Sequence, residues 1–166
     1  VWPKAPQTFP VVILTDCPNH GRSEGLLEGA RDAAGQVLNI DHHPDNRRYG
    51  TVDWIDPTAA ATGEMIWELL RRLGLSLTPA VALNLYTAIH TDTGSFRYSN
   101  TTARTFRIAA DLTQAGAEPA LVTEWLYQRR APRALNELGE LLRRIQLGDN
   151  GAVAWLAVPR GLVSEE

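Results

Sequence analysis

The sequence has almost no cysteine and no long apolar run, and both shortages exclude classes of protein. Cys17 is the only cysteine among the 166 residues, so no disulfide can form within the chain and nothing indicates an oxidising compartment. No apolar run approaches the roughly 20 residues that a membrane-spanning helix needs. The opening Val-Trp-Pro-Lys-Ala-Pro also lacks the charged start and apolar middle of a signal peptide. We therefore predict a cytoplasmic protein that does not cross a membrane.

An excess of positive charge is also missing. The chain has 16 Lys and Arg against 19 Asp and Glu, which gives a formal net charge of −3. Affinity for duplex DNA comes mainly from basic side chains that neutralise phosphates, so no duplex DNA partner is expected. A short nucleotide remains a candidate ligand, because a bound metal ion can supply the positive charge instead.

Two short apolar runs rich in β-branched residues, at 11–14 and 37–40, predict strands that are buried on both faces. The intervening residues 22–35 carry a modest helical pattern that Gly35 closes. Strand, helix and strand with short links form a βαβ unit, so we expect a parallel sheet.

The second half of the chain has a helical pattern, so the predicted fold class is α/β, a parallel sheet with flanking helices. Apolar stripes predict helices over about 64–73, from Pro79, over about 101–116, from Pro119 and over about 133–147. The heptad-like spacing of apolar residues in the last helix most often marks a core face, and a helix that connects two domains is the alternative. Residues 152–158 predict a strand that has no obvious partner.

Polar side chains follow both predicted strands directly. Asp16 ends the first strand and the triplet of Asp41, His42 and His43 ends the second. The carboxyl ends of parallel strands meet at one edge of a sheet, where α/β proteins bind their ligands. Asp92, where a later helix breaks, is a third candidate. Each aspartate alone is most often a turn or capping residue, but together with the histidines they favour a site for Mn²⁺, Fe²⁺, Co²⁺ or Zn²⁺ over a calcium site.

Four short stretches together resemble the DHH family of phosphoesterases, specifically its bacterial oligoribonuclease and pAp-phosphatase branch. They are Leu-Thr-Asp-Cys-Pro at 14–18, Ile-Asp-His-His-Pro at 40–44, Ala-Thr-Gly-Glu at 61–64 and Thr-Asp-Thr-Gly-Ser-Phe-Arg at 91–97. The resemblance extends from about residue 10 to 159. It implies an incomplete Rossmann-like DHH domain at 1–148, with 133–147 as a connecting helix, and the opening strand of a DHHA1-type substrate domain at 149–166. The first metal-binding motif of the family is expected before Val1.

The same resemblance implies a two-metal centre. The family uses two divalent ions per complete site, usually Mn²⁺, with Mg²⁺, Co²⁺ or Zn²⁺ as alternatives. Asp16 would be the bridging carboxylate, and His42 and Asp92 would bind one of the ions. Cys17 is adjacent to Asp16 and is a candidate thiolate ligand, although packing in the interior is the preferred interpretation of this residue.

The resemblance further implies roles for residues around the ions. His43 would contact the substrate phosphate as a catalytic residue. Asp41 would accept the ring N–H of His42 and so fix the tautomer of that ligand. Arg22 and Arg97 would bind phosphate, since a guanidinium pairs well with phosphate oxygens. The two adjacent histidine side chains are expected to diverge, so that they do not both reach one ion.

The predicted function is therefore metal-dependent hydrolysis of short oligoribonucleotides, pAp or cyclic dinucleotides. We expect this activity to be impaired in the 166-residue chain, because part of the metal site would lie outside it. Two alternatives stay open: a non-catalytic module that binds metal or nucleotide, and an inorganic pyrophosphatase. The expected partners are short RNA or a nucleotide phosphate, together with a second copy in a homodimer.

Overall fold

A three-stranded parallel sheet begins the fold. The computed structural model describes residues 9–23 and 35–161. The strands β1 (Val11–Thr15), β2 (Gln36–Asp41) and β3 (Val52–Ile55) lie in the order β1-β2-β3. Val12 pairs with Val37 and Thr15 with Ile40, so the predicted parallel neighbours are confirmed. The prediction that β1 is buried on both faces is wrong, because β1 lies at the edge of the described sheet and Val11 and Ile13 are 43% and 57% exposed. The helix predicted within 22–35 falls mostly on residues 24–34, outside the described residues.

Three helices follow the sheet and supply half of the buried hydrophobic residues in the described part of the chain. They are α1 (Thr62–Arg72), α2 (Pro79–Asp92) and α3 (Ala103–Gln114). The N-terminal ends follow from local chemistry, because the Thr78 side chain caps α2 with Pro79 in its first turn and Thr102 forms a capping box with Thr105. Buried Met65 packs with Ile40 of β2, so α1 covers the end of the sheet that leads into the Asp-His-His triplet. The predicted α/β class is confirmed.

Residues 120–161 form a second compact unit. The helix α4 (Pro119–Thr123) continues into a π-helical turn (Glu124–Gln128), and α5 (Pro132–Arg143) follows. The predicted helix over 133–147 is therefore too long. Gln146–Leu147 instead forms a short strand, β4, which pairs antiparallel with β5 (Ala154–Trp155). The turn between them contains Asn150 and Gly151 in left-handed conformations, and this turn gives the supposedly unpartnered strand its partner.

The apolar face of α5 is exposed among the described residues. Leu135, Leu138 and Leu142 on the helix and Ile145 just after it are between 38% and 56% exposed, so this face is not a core face within the second compact unit, and that interpretation is wrong. The physical reason is that β4 and β5 pair with each other and do not cover the helix. The predicted boundary between a DHH domain at 1–148 and a substrate domain from residue 149 is not tested by the packing of this chain, and it stays a prediction. No described helix is both long and apolar enough to cross a membrane.

Candidate metal centre

The carboxyl ends of β1 and β2 bring Asp16 and the Asp-His-His triplet together, as the parallel topology predicts. The Asp16 N–H donates to the Ile40 carbonyl at 3.0 Å, and its φ of 59° turns the chain sharply out of the sheet. Asp92 is the last residue of α2. The side chains of Asp16, His42 and His43 offer donor atoms that all lie within 4.8 Å of one another. Three elements therefore deliver carboxylates and imidazoles to one place.

The imidazole of His42 lies between two carboxylates. Its Nε2 atom is 3.6 Å from Oδ1 of Asp16 and 3.6 Å from Oδ2 of Asp92. These separations are too long for direct hydrogen bonds. Two donor atoms that each lie about 2.0–2.2 Å from one metal ion are roughly 3–4 Å from each other. Each of the two separations around His42 therefore matches a pair of donor atoms that share an ion.

A second contact fixes which nitrogen of His42 carries the lone pair. The Nδ1 atom is 3.2 Å from the carbonyl oxygen of Ala59. A carbonyl can only accept a hydrogen bond, so Nδ1 carries the proton and the lone pair of the neutral ring is on Nε2. That lone pair faces Asp16 and Asp92, which also only accept when ionised. A cation at this position satisfies all three groups, and this chemistry makes the cluster fit a metal ion.

The two aspartates of the cluster differ in environment. Burial, and secondarily the charge of Asp16, raise the pKa of Asp92, while His42 and His43 oppose the shift. Asp16 is more exposed, and its Oδ1 atom accepts a hydrogen bond of 2.9 Å from the Thr62 hydroxyl at the start of α1. Thr62 therefore orients the carboxylate that faces His42. Mutual repulsion of the two carboxylates is a further reason for a cation to bind between them.

The imidazole ring that bonds to Asp41 is that of His43, not that of His42. The Nδ1 atom of His43 lies 2.7 Å from Oδ1 of Asp41, whose side chain is fully buried. The prediction that Asp41 accepts the ring N–H of His42 is therefore wrong. The carboxylate instead caps the start of the loop, because it also accepts the backbone N–H of His42 at 2.8 Å. That backbone bond turns the His42 ring away from Asp41 and toward Ala59.

The hydrogen bond between Asp41 and His43 affects both pKa values. For His43, the bond to Asp41 outweighs burial and raises the pKa. For Asp41, burial acts to raise the pKa, but the hydrogen bonds from His43 and Asn46 together lower it. The His42 and His43 rings lie edge to face with centroids 4.7 Å apart, so the predicted divergence of the two side chains is wrong.

The two arginines predicted to bind phosphate are not brought into this cluster by any described contact. Arg22 lies exposed in a 3-10 turn (His20–Ser23). The Nε atom of Arg97 donates to the Gly94 carbonyl at 2.6 Å. Burial, and secondarily the charge of Arg97, lower the pKa of His90, so the guanidinium lies near that residue. Cys17 is buried with its thiol donating to the Asn19 carbonyl, which confirms the interpretation that it packs.

Several residues that support the cluster had no signal of their own in the sequence. The side-chain amide of Asn100 donates to the carbonyls of Ala60 and Asp92, at 3.0 Å and 3.1 Å. It thereby joins the loop that contacts His42 through Ala59 to the end of α2. Thr62 belongs to the Ala-Thr-Gly-Glu stretch, whose composition pointed to the region but not to the contact with Asp16. A loop asparagine or a backbone carbonyl has no spacing pattern that would reveal it.

A cleft opens beside the two aspartates. It has a volume of about 260 Å³ and is lined by Thr15, Asp16, Thr62, Gly63, Ile66, Leu85, Ala88, Thr91 and Asp92. Its apolar lining comes mainly from α1 and α2, and Asp16 and Asp92 line it as well. The ligand atoms of Asp16 and Asp92 are therefore accessible from solvent and are not sealed in the core.

Curated proteins with similar sequences cover most of this chain. A bifunctional oligoribonuclease and PAP phosphatase NrnA from Thermus thermophilus is 37% identical over 132 residues, which are 80% of this chain and 40% of that protein. The protein of the same name from Bacillus subtilis is 30% identical over 148 residues, 87% of this chain and 46% of its own. An A-adding tRNA nucleotidyltransferase from Aquifex aeolicus is 27% identical over 141 residues, 85% of this chain and 16% of its own. The chain thus spans less than half the length of these relatives.

A solved structure has the same fold. An exopolyphosphatase-related protein from Bacteroides fragilis superposes with a TM-score of 0.79 over 84% of this chain and 42% of its own, at 21% identity. No family model matches the chain. The fold and the cluster define an α/β domain with a carboxylate and imidazole centre suited to a divalent metal ion. The sequence relatives show that the chain belongs to the DHH family, in the branch of the oligoribonuclease and PAP phosphatase proteins.

Proposed function

We propose that the chain forms the metal-binding part of a divalent-metal-dependent phosphoesterase that hydrolyses short oligoribonucleotides, pAp or cyclic dinucleotides. The observation that carries the proposal is the lone pair of His42 Nε2 facing two carboxylate oxygens at 3.6 Å. The names of the Thermus and Bacillus relatives support the substrate class, since both are called oligoribonucleases and PAP phosphatases. The tRNA nucleotidyltransferase relative also acts on RNA by its name.

In this proposal Asp16, His42 and Asp92 hold the ion, with Mn²⁺ as the expected metal. A bound ion of this kind supplies Lewis acidity toward water and toward phosphoryl oxygens. The remaining steps fall to side chains. Asp41 holds the Nδ1–H of His43, which leaves Nε2 of that ring to donate a hydrogen bond to a phosphoryl oxygen when it is protonated. Thr62 keeps the Asp16 carboxylate turned toward His42.

The 166-residue chain is expected to turn over slowly. Among the residues that the structure describes, one group of three donors lies close enough to hold an ion, namely Asp16, His42 and His43, and Asp92 adjoins it through His42 Nε2. A two-ion centre clamps both the attacking and the leaving oxygen, and a single ion does only part of this. The proposal therefore combines specific metal-dependent binding with a low rate.

Binding and single-turnover measurements test the function directly. The chain, in excess, is mixed with pAp, with a diadenylate, with cyclic di-AMP and with pyrophosphate, each with Mn²⁺ and with EDTA. We expect Mn²⁺-dependent binding of a nucleotide and its slow hydrolysis. Both should be lost in His42→Ala. Binding without any hydrolysis would favour the non-catalytic module, and preference for pyrophosphate would favour a pyrophosphatase. Failure of all four compounds to bind with Mn²⁺ would refute the proposal.

We also propose that the protein forms a homodimer through the apolar face of α5. Support comes from the exposure of Leu135, Leu138 and Leu142 at heptad-like spacing on this helix. Sedimentation velocity of the wild-type chain and of Leu138→Glu tests this, with Asn136→Glu on an exposed polar position as the matched control. Loss of the dimer only in Leu138→Glu is expected. A wild-type chain that stays monomeric at high concentration would contradict it.

A further inference from the structure

We propose that Asn46 is a positioning residue: its side-chain amide holds the Asp41 carboxylate, and Asp41 in turn fixes the ring orientation and tautomer of His43. The inference rests on the proposed function for its catalytic consequence, because it concerns the histidine assigned to the phosphate. Its structural part stands on described contacts alone. Those contacts form a chain of hydrogen bonds from Asn39 through Asn46 and Asp41 to His43.

The orientation of the Asn46 amide is determined by its neighbours. Its Nδ2 atom donates to Oδ2 of Asp41 at 2.6 Å, and a carboxylate can only accept. Its Oδ1 atom accepts the backbone N–H of Arg48 at 2.7 Å, and an N–H can only donate. The side-chain amide of Asn39, which is fully buried on β2, donates to the same Oδ1 atom at 3.0 Å. The amide therefore cannot be flipped without losing all three bonds.

Asn46 and His43 bind opposite oxygens of the same buried carboxylate. Oδ1 of Asp41 accepts from the ring of His43 and from the backbone N–H of His42, while Oδ2 accepts from Asn46. A carboxylate without solvent contact has no water to replace a lost donor. Removing the Asn46 amide leaves Oδ2 without this partner, so the carboxylate can rotate and the Oδ1 bond to His43 is no longer held in one direction.

The consequence for His43 is a change of tautomer. As long as Asp41 accepts from Nδ1, the neutral ring carries its proton on Nδ1 and its lone pair on Nε2. Without that constraint the two tautomers of a histidine have similar energies and the ring can turn. Such outer partners of functional side chains typically change activity by roughly 10-fold to 100-fold when they are removed.

Asn46 also shapes the loop, and this second role has to be separated from the first. Arg48 has a φ of 50°, which is unfavourable for a side chain other than glycine, and its N–H is held by Asn46. The double variant Asn46→Ala with Arg48→Gly removes the amide and also removes the backbone strain at position 48, because glycine adopts a positive φ readily. It therefore tests the contact to Asp41 in a loop that can still form its turn.

The experiment measures the tautomer of His43 by long-range ¹H–¹⁵N NMR correlation on the metal-free 166-residue chain with labelled histidine. The chain has four histidines, so His43→Gln identifies the signal. We expect one Nδ1–H tautomer in the wild type and a mixture, or the Nε2–H form, in Asn46→Ala and in the double variant. The matched control is Asn84→Ala, which removes a side-chain amide bonded only within α2 and should leave the signal unchanged.

Kinetics and metal binding complete the test. The single-turnover rate with Mn²⁺ should fall roughly 10-fold to 100-fold in both Asn46 variants, while Mn²⁺ affinity stays within about twofold of wild type. An unchanged His43 tautomer in both Asn46 variants would overturn the inference, whatever the rates. A changed tautomer in a chain that hydrolyses nothing would leave the positioning of His43 established and would count against the proposed function alone.

Discussion

Arg104 on α3 lies 3.6 Å, from Nε to Oε2, from the carboxylate of Glu64, which is 1% exposed in the first turn of α1. The same guanidinium pairs with Glu68 at 2.9 Å and lies 3.5 Å from Asp56 in the loop after β3. Arg104 therefore joins α3 to α1, which begins at Thr62 beside Asp16, and to the loop that carries Ala59 beside His42. These ion pairs thus hold in place the loop and the helix start that contact the residues of the candidate metal centre.

Arg104→Ala should lower the free energy of unfolding by about 2–3 kcal/mol, because it leaves the buried Glu64 carboxylate without its cation. The value is placed below the usual range for a buried pair since the Arg104 side chain is itself about a third exposed. Arg104→Lys keeps the charge but loses the planar guanidinium, so its stability should lie between that of the wild type and that of Arg104→Ala. Urea unfolding of the three chains measures this. A loss below about 0.5 kcal/mol in Arg104→Ala would contradict the role of the cluster.

Asp56 should make stability depend on pH in the acid range. Hydrogen bonding from Thr58 lowers the pKa of Asp56 below its ordinary 3.8, burial opposes the shift, and Arg104 adds to the lowering. A carboxyl group with a lowered pKa in the folded state stabilises the protein above the unfolded pKa, and this contribution is lost as the pH falls through the folded pKa. Asp56→Asn should therefore be less stable than wild type at pH 7, and the difference should shrink below about pH 4. A difference that is constant from pH 7 to pH 3 would exclude this explanation.

Gly50 should tolerate no side chain. A Cβ atom there would lie 2.7 Å from the Val52 carbonyl oxygen and 3.1 Å from that of Val37, both in the backbone of the sheet. Gly74, with a φ of 68° and nothing within 4 Å of an added Cβ, is the matched control because it has only backbone strain. Gly50→Ala should cost more than about 2 kcal/mol and Gly74→Ala about 1 kcal/mol. Thermal unfolding would contradict the described packing if the two variants were equally stable.

His43→Ala should slow hydrolysis by on the order of 10²–10³, which is typical for the loss of one donor to a transition state. The reason is that Asp41 holds the Nδ1–H of His43, and in the proposed function the Nε2 atom of this ring would donate to the substrate phosphate. Single-turnover kinetics at saturating Mn²⁺ measures the effect. A rate within a few-fold of wild type would remove His43 from the reaction.

The sequence predicted the sheet and the convergence of the site because both follow from simple rules. Apolar, β-branched runs joined by a crossover give parallel strands, and the ends of such strands share an edge, which brings Asp16 and His42 together. The partner of Asp41 could not be predicted, since it depends on how the backbone turns after β2. The Ala59 carbonyl and the Asn46 amide come from irregular loops without periodicity. The end of α5 at Arg143 was missed because the pairing of β4 with β5 overrides a helical pattern.

Calorimetric titration of Mn²⁺ into the wild-type chain, His42→Ala and His43→Ala tests the central claim most directly. We expect about one equivalent to bind to the wild type, because the described donor atoms converge on His42 Nε2. His42→Ala should weaken binding at least roughly 10-fold, and His43→Ala should stay within a few-fold of wild type. Equal losses in the two variants, or no binding to the wild-type chain, would contradict the account.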